Sequence, residues 1–564
     1  MTHNGSTNPS TAMATVLVDE LARCGVREIV LAPGSRSAAL AFAAHGAAEV
    51  GGVRLHVRFD ERAAGFLALG MAKAARRPVA VLTTSGTAVA NLHAAVLEAS
   101  HAGVPLVLLT ADRPAGLRGT GANQTTDQVK IFGGAVRAFA DVPPARAGHG
   151  EREQVASWRS LVARTVSTAG GGTNPGPVHL NIQMSEPLTP GPAGGWAAPL
   201  DGRPQGEPWT TVGDPPPALP EPLDASLRTV VVAGDDAGPP ARILAESAGW
   251  PLLAEPTSGA RTGDNAIRTY RLLLDDDELC AQIEQVVVCG HPTLSRSVTR
   301  LLSRDDVRTL AIRGATGWTD PGHQVARVAA AAEPDRPPDE GTAWLRLWRR
   351  RDAELARRLD ALLAAREELC APEVAASVSA ALPPGGLLFV GASNPIRDLD
   401  LMAARYAVGE RRLTIGNRGL SGIDGSVSSA IGAAMARESS RAFALLGDLT
   451  FLHDSNGLLV GPDEPRPDLM IVVANDDGGS VFATLEQGAA SYAGSFERLF
   501  ATPHGADLAA LCAASGTPHR RARTRKEVDR ALASPVGGIE VVEAVVRRDN
   551  RRELEEAIKA ASRA

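Results

Sequence analysis

Two short apolar runs in the last third of the chain constrain its fold most: FALLG, which stops at Asp448, and LMIVVAN, which stops at Asp476. Each has the length and near-continuous hydrophobicity of a strand buried on both faces, the signature of a parallel sheet. In an open parallel sheet ligands bind outside the carboxyl ends of the strands, so both acids are expected to face one crevice. Between the runs, SNGLL predicts a helix starting near Ser455, whose free N–H groups and positive dipole end would favour a phosphate. Carboxylates, a carbonyl from the glycine turn and phosphate oxygens together describe a hard-cation site of the magnesium type. Taken alone, either half is better read as the turn chemistry of a strand end; the two together are far more specific.

A chain of 564 residues is too long for one core. The first segment, 10–186, alternates the apolar runs REIVLA, RLHVRF, VAVLTT, PLVLLTA and PVHLNI with helical stretches, as an α/β fold with a parallel sheet does. Residues 187–225 are rich in Pro and Gly and read as a linker. A middle α/β unit, 226–370, follows with TVVVAG, QVVVCG and RTLAIRG. TVVVAGDDAGPP stands where a dinucleotide fingerprint could lie, but it lacks GxGxxG, and its prolines are expected to spoil a helix N-terminus. The arginine-rich stretch from Ala343 to Leu369 predicts a long amphipathic helix with a solvated basic face. The third segment, 371–564, repeats the strand-and-helix alternation. The fold class is therefore α/β, with three doubly wound parallel-sheet domains.

The formal net charge of -6 gives no global attraction to nucleic acid or to an anionic membrane. Five scattered cysteines without a CxxC pair argue against a disulfide framework or a zinc site. The opening MTHNGSTNPSTA lacks a leader pattern, and no uncharged apolar run nears the ~20 residues that span a bilayer, so no membrane insertion and a cytoplasmic location are expected.

Polar groups cluster just past the candidate strands. After REIVLA comes PGSRS with Ser35 and Arg36, where serine equally suits a helix N-cap. After RLHVRF, Asp60 stands at a helix N-cap and Glu61 in the first turn, where an acid commonly serves the helix dipole. DRP and GTGANQ contribute Arg113, Asn123 and Gln124; ASNPIRD contributes Ser393 and Arg397; NRGLSGIDG contributes Arg418. One such arginine is ordinarily a surface residue. Four at the binding edges of the sheets suggest a site for more than one carboxylate, since the planar guanidinium pairs with carboxylates in a bidentate way.

The pairing of GD with a later N(N/D)xGG, here Asn475 to Gly479, resembles the metal and diphosphate motif of the thiamine-diphosphate enzymes. PGSRS, FDER, TSGTAVAN, ADRP with GTGANQ, NRGLSGIDG, GDLTFLHD and NDDGGSVF, in that order, resemble the 2-succinyl-5-enolpyruvyl-6-hydroxy-3-cyclohexene-1-carboxylate synthase family of menaquinone biosynthesis. The resemblance implies pyrimidine-binding, middle and diphosphate-binding domains and an active site between two subunits of a homodimer or a dimer of dimers. It also implies thiamine diphosphate with Mg2+, or Mn2+, held by Asp448, Asp476 and the carbonyl of Gly478, with Leu449, Thr450 and Asn475 beside the cofactor. The family usually has Asn where Asp476 stands. Glu61 would hydrogen-bond the aminopyrimidine, and Ile423 would keep the cofactor bent. The implied reaction decarboxylates 2-oxoglutarate and adds the succinyl carbanion to isochorismate in a conjugate 1,4 fashion. Ser35, Arg36, Arg113, Gln124, Ser393, Arg397 and Arg418 would hold substrate or intermediate, and Asn123, Val481, Phe482 and Leu485 would shape the pocket. In the middle unit only Arg296 is a candidate, and a weak one.

Two other readings stand beside this one. Another thiamine-diphosphate-dependent 2-oxoacid decarboxylase or an acetolactate-type synthase would share the cofactor motif. Decarboxylases of that kind commonly carry a His-His pair, which this chain lacks, and four arginines exceed the need of a monocarboxylate. A non-catalytic nucleotide-binding protein would rest on VVVAGDD and would bind without turnover.

Overall fold

The computed structural model of the chain describes residues 7–191, 194–213, 218–337, 342–403, 405–437 and 439–563. Residues 192–193 and 214–217 of the expected linker lie outside these. The chain packs as two compact units: Met1–Pro216 with Gly419–Glu438 and Asn456–Pro467, and Pro217–Arg418 with Ser439–Ser455 and Asp468–Ala564.

The first unit is built on a six-stranded sheet of β1 (Glu28–Leu31), β2 (Arg54–Val57), β3 (Val79–Thr83), β4 (Leu106–Asp112), β5 (Ala138–Val142) and β6 (Val178–Gln183), in the order β2-β1-β3-β4-β6-β5. Every pairing in it is parallel. β3, β4 and β6 are buried along their whole length, which is why they read as continuous apolar runs. β5, AFADV, is only partly buried, and its mixed composition carried no strand signal.

The second unit holds two larger sheets. β7 (Glu221–Leu223) precedes the middle sheet in the chain and β13 (Ala332–Pro334) follows it, and the two pair as a two-stranded sheet. The middle sheet contains β8 (Thr229–Ala233), β9 (Leu252–Ala254), β10 (Gln285–Cys289), β11 (Arg308–Ile312) and β12 (Val325–Ala329), in the order β12-β11-β10-β8-β9. The last sheet contains β14 (Leu387–Val390), β15 (Leu413–Ile415), β16 (Ala442–Gly447), β17 (Leu469–Asn475), β18 (His519–Ala522) and β19 (Ile539–Val545). Its order, β15-β14-β16-β17-β19-β18, repeats that of the first sheet strand for strand. The chain thus contains two copies of one topology flanking a third parallel sheet. In both copies the winding reverses beside the first strand, between β1 and β3 and between β14 and β16, which places the binding crevice at those strand tips.

Two local expectations are corrected. No helix starts at Ser455: the helix in that region runs Asp448–His453, directly off β16, and Ser455–Leu458 is one 3-10 turn. Gly447, the last residue of β16, keeps extended backbone as the N-cap, and Asp448 takes the first helical position. The prolines of GDDAGPP do not spoil a helix either. The helix Gly238–Ala248 carries them in its first turn, where an intrahelical N–H is not needed.

Inside the first unit, the helix Glu61–Ala75 lies against the helix Ser426–Ala436 at backbone contact. A Cβ on Gly70 would fall 2.0 Å from the Ser429 carbonyl oxygen, and one on Gly432 would fall 2.0 Å from that of Leu67. Ser429 Oγ donates to the Phe66 carbonyl at 3.1 Å, which closes the crossing. Gly70→Ala is therefore expected to lower stability by about 1–3 kcal/mol despite the better helix propensity of alanine. Gly46→Ala, on the helix Ala38–Glu49 with open space around the new methyl, should be neutral or slightly stabilising. Urea unfolding of the two variants distinguishes them.

Candidate active site

In the first unit, Asp60 caps the Glu61 helix: its Oδ1 accepts from Ala63 N at 3.1 Å, and its Oδ2 accepts from Asn456 Nδ2 at 3.1 Å. The cap fixes where the helix begins, and so places the half-buried Glu61 at its first position. Gly425 packs on Phe66, one turn further along the same helix, so a Cβ there would overlap the ring. That contact ties the loop carrying Ile423 to the Glu61 helix.

At the tips of β1, β3 and β4 the unit gathers its arginines. Arg113 follows β4 directly and is buried; its Nη1 donates to Ser85 Oγ and, at 2.8 Å, to the Gln124 carbonyl. Burial lowers its proton affinity, and the charge of Arg36 lowers it further. Arg36 donates to the Met184 carbonyl at 3.0 Å, while its buried Nε has no hydrogen-bond partner. Gln124 holds a left-handed backbone (φ 54°) and donates through Nε2 to the Ser85 carbonyl at 3.0 Å. Asn123 beside it is exposed. Ser35 lies in the β1 loop, but the N-cap position belongs to Ser37, whose Oγ donates to the Gly34 carbonyl. Two guanidinium groups thus stand close together at one sheet edge.

The second unit holds the acids. Asp448, 2% exposed, follows β16, and its carboxylate accepts from Leu449 N at 2.6 Å and from Gly478 N at 2.8 Å. His504 Nε2 lies 3.2 Å from Asp448 Oδ2. Its Nδ1 accepts from Ala506 N at 2.9 Å, so the proton sits on Nε2 and is donated to Asp448. Asp476 follows β17, and its Oδ1 is buried with no hydrogen-bond partner. Burial and then the neighbouring Asp448 push its carboxyl up to about 7, and burial raises Asp448 as well. Two buried carboxylates held together in this way, one with an unused oxygen, fit a divalent cation. No group of three His, Cys, Asp or Glu donors that could hold a metal occurs among the described residues, so the remaining ligands would have to be a main-chain carbonyl and a bound anion.

The turn after Asp476 is rigid. Asp477 has φ 57° and Gly478 has φ 145°, and a Cβ on Gly478 would lie 2.2 Å from the Ala501 carbonyl oxygen. Arg548 donates to the carbonyls of Asp476, at 3.1 Å, and Asp477. Asn475 is engaged in the scaffold: its Nδ2 donates to Glu543 at 2.8 Å and its Oδ1 accepts from Asp477 N at 3.0 Å. Thr450 is buried and Leu449 half-buried in the Asp448 helix.

Past β14, Ser393 adopts φ 71° and caps the helix Asn394–Met402, whose first turn carries Arg397. Arg397 donates to the Ser393 carbonyl at 2.7 Å. Burial lowers its proton affinity first, then Arg418 and Arg271. Arg271, from the middle segment, donates to the Arg397 carbonyl at 3.3 Å. Val481 and Phe482 lie on the 3-10 turn Ser480–Thr484, which ends at Leu485, and Asn394 Nδ2 donates to Ser480 Oγ at 2.6 Å. Arg296 instead forms an exposed ion pair with Glu486 at 2.9 Å.

Sequence reading missed Ser85, Arg271, His504 and Arg548. Ser85 lay in plain view within TSGTAVAN. Arg548 follows β19 at the offset at which Arg418 follows β15 and could have been found the same way. Arg271 and His504 lie away from strand ends, and only the tertiary fold brings them in.

Beside the arginines, the buried Asp398 is held bidentately by Arg551 at 2.7 and 3.1 Å. Arg551→Met would leave a buried acid without its cation and is expected to cost about 3–5 kcal/mol by urea unfolding. Adding Asp398→Asn should recover much of that loss.

Two family models match the chain: the thiamine pyrophosphate enzyme N-terminal TPP binding domain over residues 11–131, and the C-terminal TPP binding domain over 398–546. A Nocardioides sp. protein named 2-succinyl-5-enolpyruvyl-6-hydroxy-3-cyclohexene-1-carboxylate synthase is 57% identical over 560 residues, covering 98% of each chain. Proteins of the same name from Kineococcus radiotolerans and Saccharopolyspora erythraea are 52% and 48% identical, each with 99% of both chains covered.

Proposed function

Since the chain belongs to the 2-succinyl-5-enolpyruvyl-6-hydroxy-3-cyclohexene-1-carboxylate synthase family, we propose that it catalyses the reaction those relatives are named for. It is a thiamine-diphosphate-dependent enzyme of the carboligase type, acting in menaquinone biosynthesis. The substrates are 2-oxoglutarate, which loses carbon dioxide, and isochorismate, to which the four-carbon acyl unit is added. The observation that carries the substrate assignment is the surplus of guanidinium at the strand tips. Arg36 and Arg113 stand together at one sheet edge, and Arg397, Arg418 and Arg271 at another. Both substrates are dicarboxylates, and a decarboxylase of a monocarboxylic acid has no use for so many cations.

Thiamine diphosphate, when bound, supplies the nucleophilic carbon and the electron sink that decarboxylation of a 2-oxo acid requires. Asp448, Asp476 and the Gly478 carbonyl would hold Mg2+, or Mn2+, and through it the diphosphate, with Leu449, Thr450 and Asn475 alongside. Gly478 N and His504 keep Asp448 turned toward that position. The Glu61 carboxyl would hydrogen-bond the aminopyrimidine and exchange a proton with it, and Ile423 would support the bent cofactor. Ser35, Arg36, Arg113 and Arg418 bind acid groups in this reading. Gln124, Ser393 and Arg397 act nearest the reacting carbons, and Asn123, Val481, Phe482 and Leu485 line the pocket. Residues 10–186, 226–370 and 371–564 serve as pyrimidine-binding, middle and diphosphate-binding domains. The enzyme works in the cytoplasm as a homodimer or a dimer of dimers whose subunits share the sites.

The direct test mixes the chain with isochorismate, 2-oxoglutarate, Mg2+ and thiamine diphosphate. Isochorismate should disappear with matching release of carbon dioxide; no consumption, or consumption without the cofactor, overturns the reading. Glu61→Gln should bind the cofactor yet turn over at least ~100-fold more slowly. Asp476→Asn, which installs the residue usual in the family, should keep activity with an altered Mg2+ affinity by titration calorimetry.

A further inference from the structure

The middle sheet carries a buried acid that the reaction described above does not use. Glu255 follows β9 and is 1% exposed. Its Oε1 accepts from the main-chain N–H groups of Thr293 and Leu294, both at 2.9 Å, while Oε2 is buried and unbonded. Thr293 and Leu294 lie in the loop after β10. The middle sheet reverses its winding beside β8, between β9 and β10, so Glu255 and this loop meet at its own switch point. The loop has no slack: a Cβ on Gly234 would fall 1.9 Å from Pro292 N, and one on Gly290 would fall 2.5 Å from the Asp235 carbonyl oxygen.

The side chain of Thr293 meets the site. Arg418, 4% exposed, donates from Nη2 to Thr293 Oγ1 at 2.9 Å, and this is the one hydrogen bond of its guanidinium among the described residues. The Arg418 Nε is buried and unbonded. The charge of Arg418 favours the ionised form of Glu255, while those of Asp400 and Asp235 oppose it. Asp400 is already bound by Arg261 Nη1 and Tyr270 Oη, each at 2.9 Å. One carboxylate therefore fixes the main chain of the residue whose hydroxyl aims the arginine. Leaving one oxygen of a buried carboxyl without a partner is costly.

We propose that Glu255 is a positioning residue: it holds the 293–294 loop so that Thr293 points the Arg418 guanidinium at an acid group of the substrate. The inference rests on the assignment of Arg418 to substrate binding. It gives the middle segment a part in specificity without contact to the reacting atoms.

The test is steady-state kinetics on the holoenzyme with both substrates varied. Arg418→Ala first shows which of the two dicarboxylates depends on that arginine. Burial pushes the Glu255 carboxyl up to about 8, against the Leu294 N–H and Arg418. Glu255→Gln keeps an acceptor for the two N–H groups but cannot ionise, and in assays above that pH it should raise KM for that same substrate roughly tenfold, the scale of one misplaced charge-assisted hydrogen bond. The other KM and the cofactor activation constant should stay within about twofold. Thr293→Val should show the same selective rise and Thr293→Ser should restore KM, which keeps the test available if Glu255→Gln does not fold. The double variant Glu255→Gln/Arg418→Ala should be no worse than Arg418→Ala alone. If Arg418→Ala has its effect while Glu255→Gln and Thr293→Val leave KM unchanged, or raise both KM values equally with a lowered melting temperature, the positioning role is overturned alone. If Arg418→Ala changes neither KM, the assignment of Arg418 falls and the inference with it.

Discussion

The rest of the site depends on two carboxylates buried side by side at the ends of neighbouring parallel strands. Asp448 and Asp476 directly follow β16 and β17, which pair in register up to Gly447 and Ala474, so the sheet brings both acids to neighbouring strand ends. Such a pair is unfavourable by itself: burial and mutual repulsion hold the Asp476 carboxyl up near 7. The surrounding fold is built to tolerate it. Gly478 N, Leu449 N and His504 all direct protons at Asp448, and Arg548 braces the turn that carries Asp476. Two acids kept together against their repulsion fit a cation, and in the proposed function that cation would hold the diphosphate.

The arginines follow the opposite logic. Arg113 and Arg397 both lose proton affinity to burial and then to neighbouring arginines, with Asp112 and Asp398 acting more weakly the other way. A dianionic substrate relieves that repulsion, and a monoanion relieves less of it. In the proposed function the selectivity of the site would follow from this crowding in the unliganded fold, and in the proposed positioning role the middle sheet would contribute through Thr293 and Glu255.

Much of this was legible in the chain. Strands buried on both faces are apolar throughout, so β3, β4, β10, β16 and β17 could be read directly, and the residues at their tips followed from the rule that parallel sheets bind ligands at carboxyl ends. The partly buried β5, with alternating small, aromatic and acidic residues, left no such trace. The helix of this region begins at Asp448, straight off the last residue of β16, and Ser455 opens only a 3-10 turn; hydrophobic pattern does not mark that boundary. Arg271, His504 and Glu255 escaped notice for another reason. Each lies far along the chain from the residue it supports, and only the closed sheets bring them together.

The central claim is that Asp448 and Asp476 form a cation-dependent diphosphate site. Titration calorimetry of thiamine diphosphate into the full-length chain, with Mg2+ and again after chelation of divalent ions, tests it most directly. The account predicts binding with Mg2+ that chelation abolishes and that Asp448→Ala removes even at saturating metal. Equal affinity with and without the metal, or unchanged binding in Asp448→Ala, would contradict it.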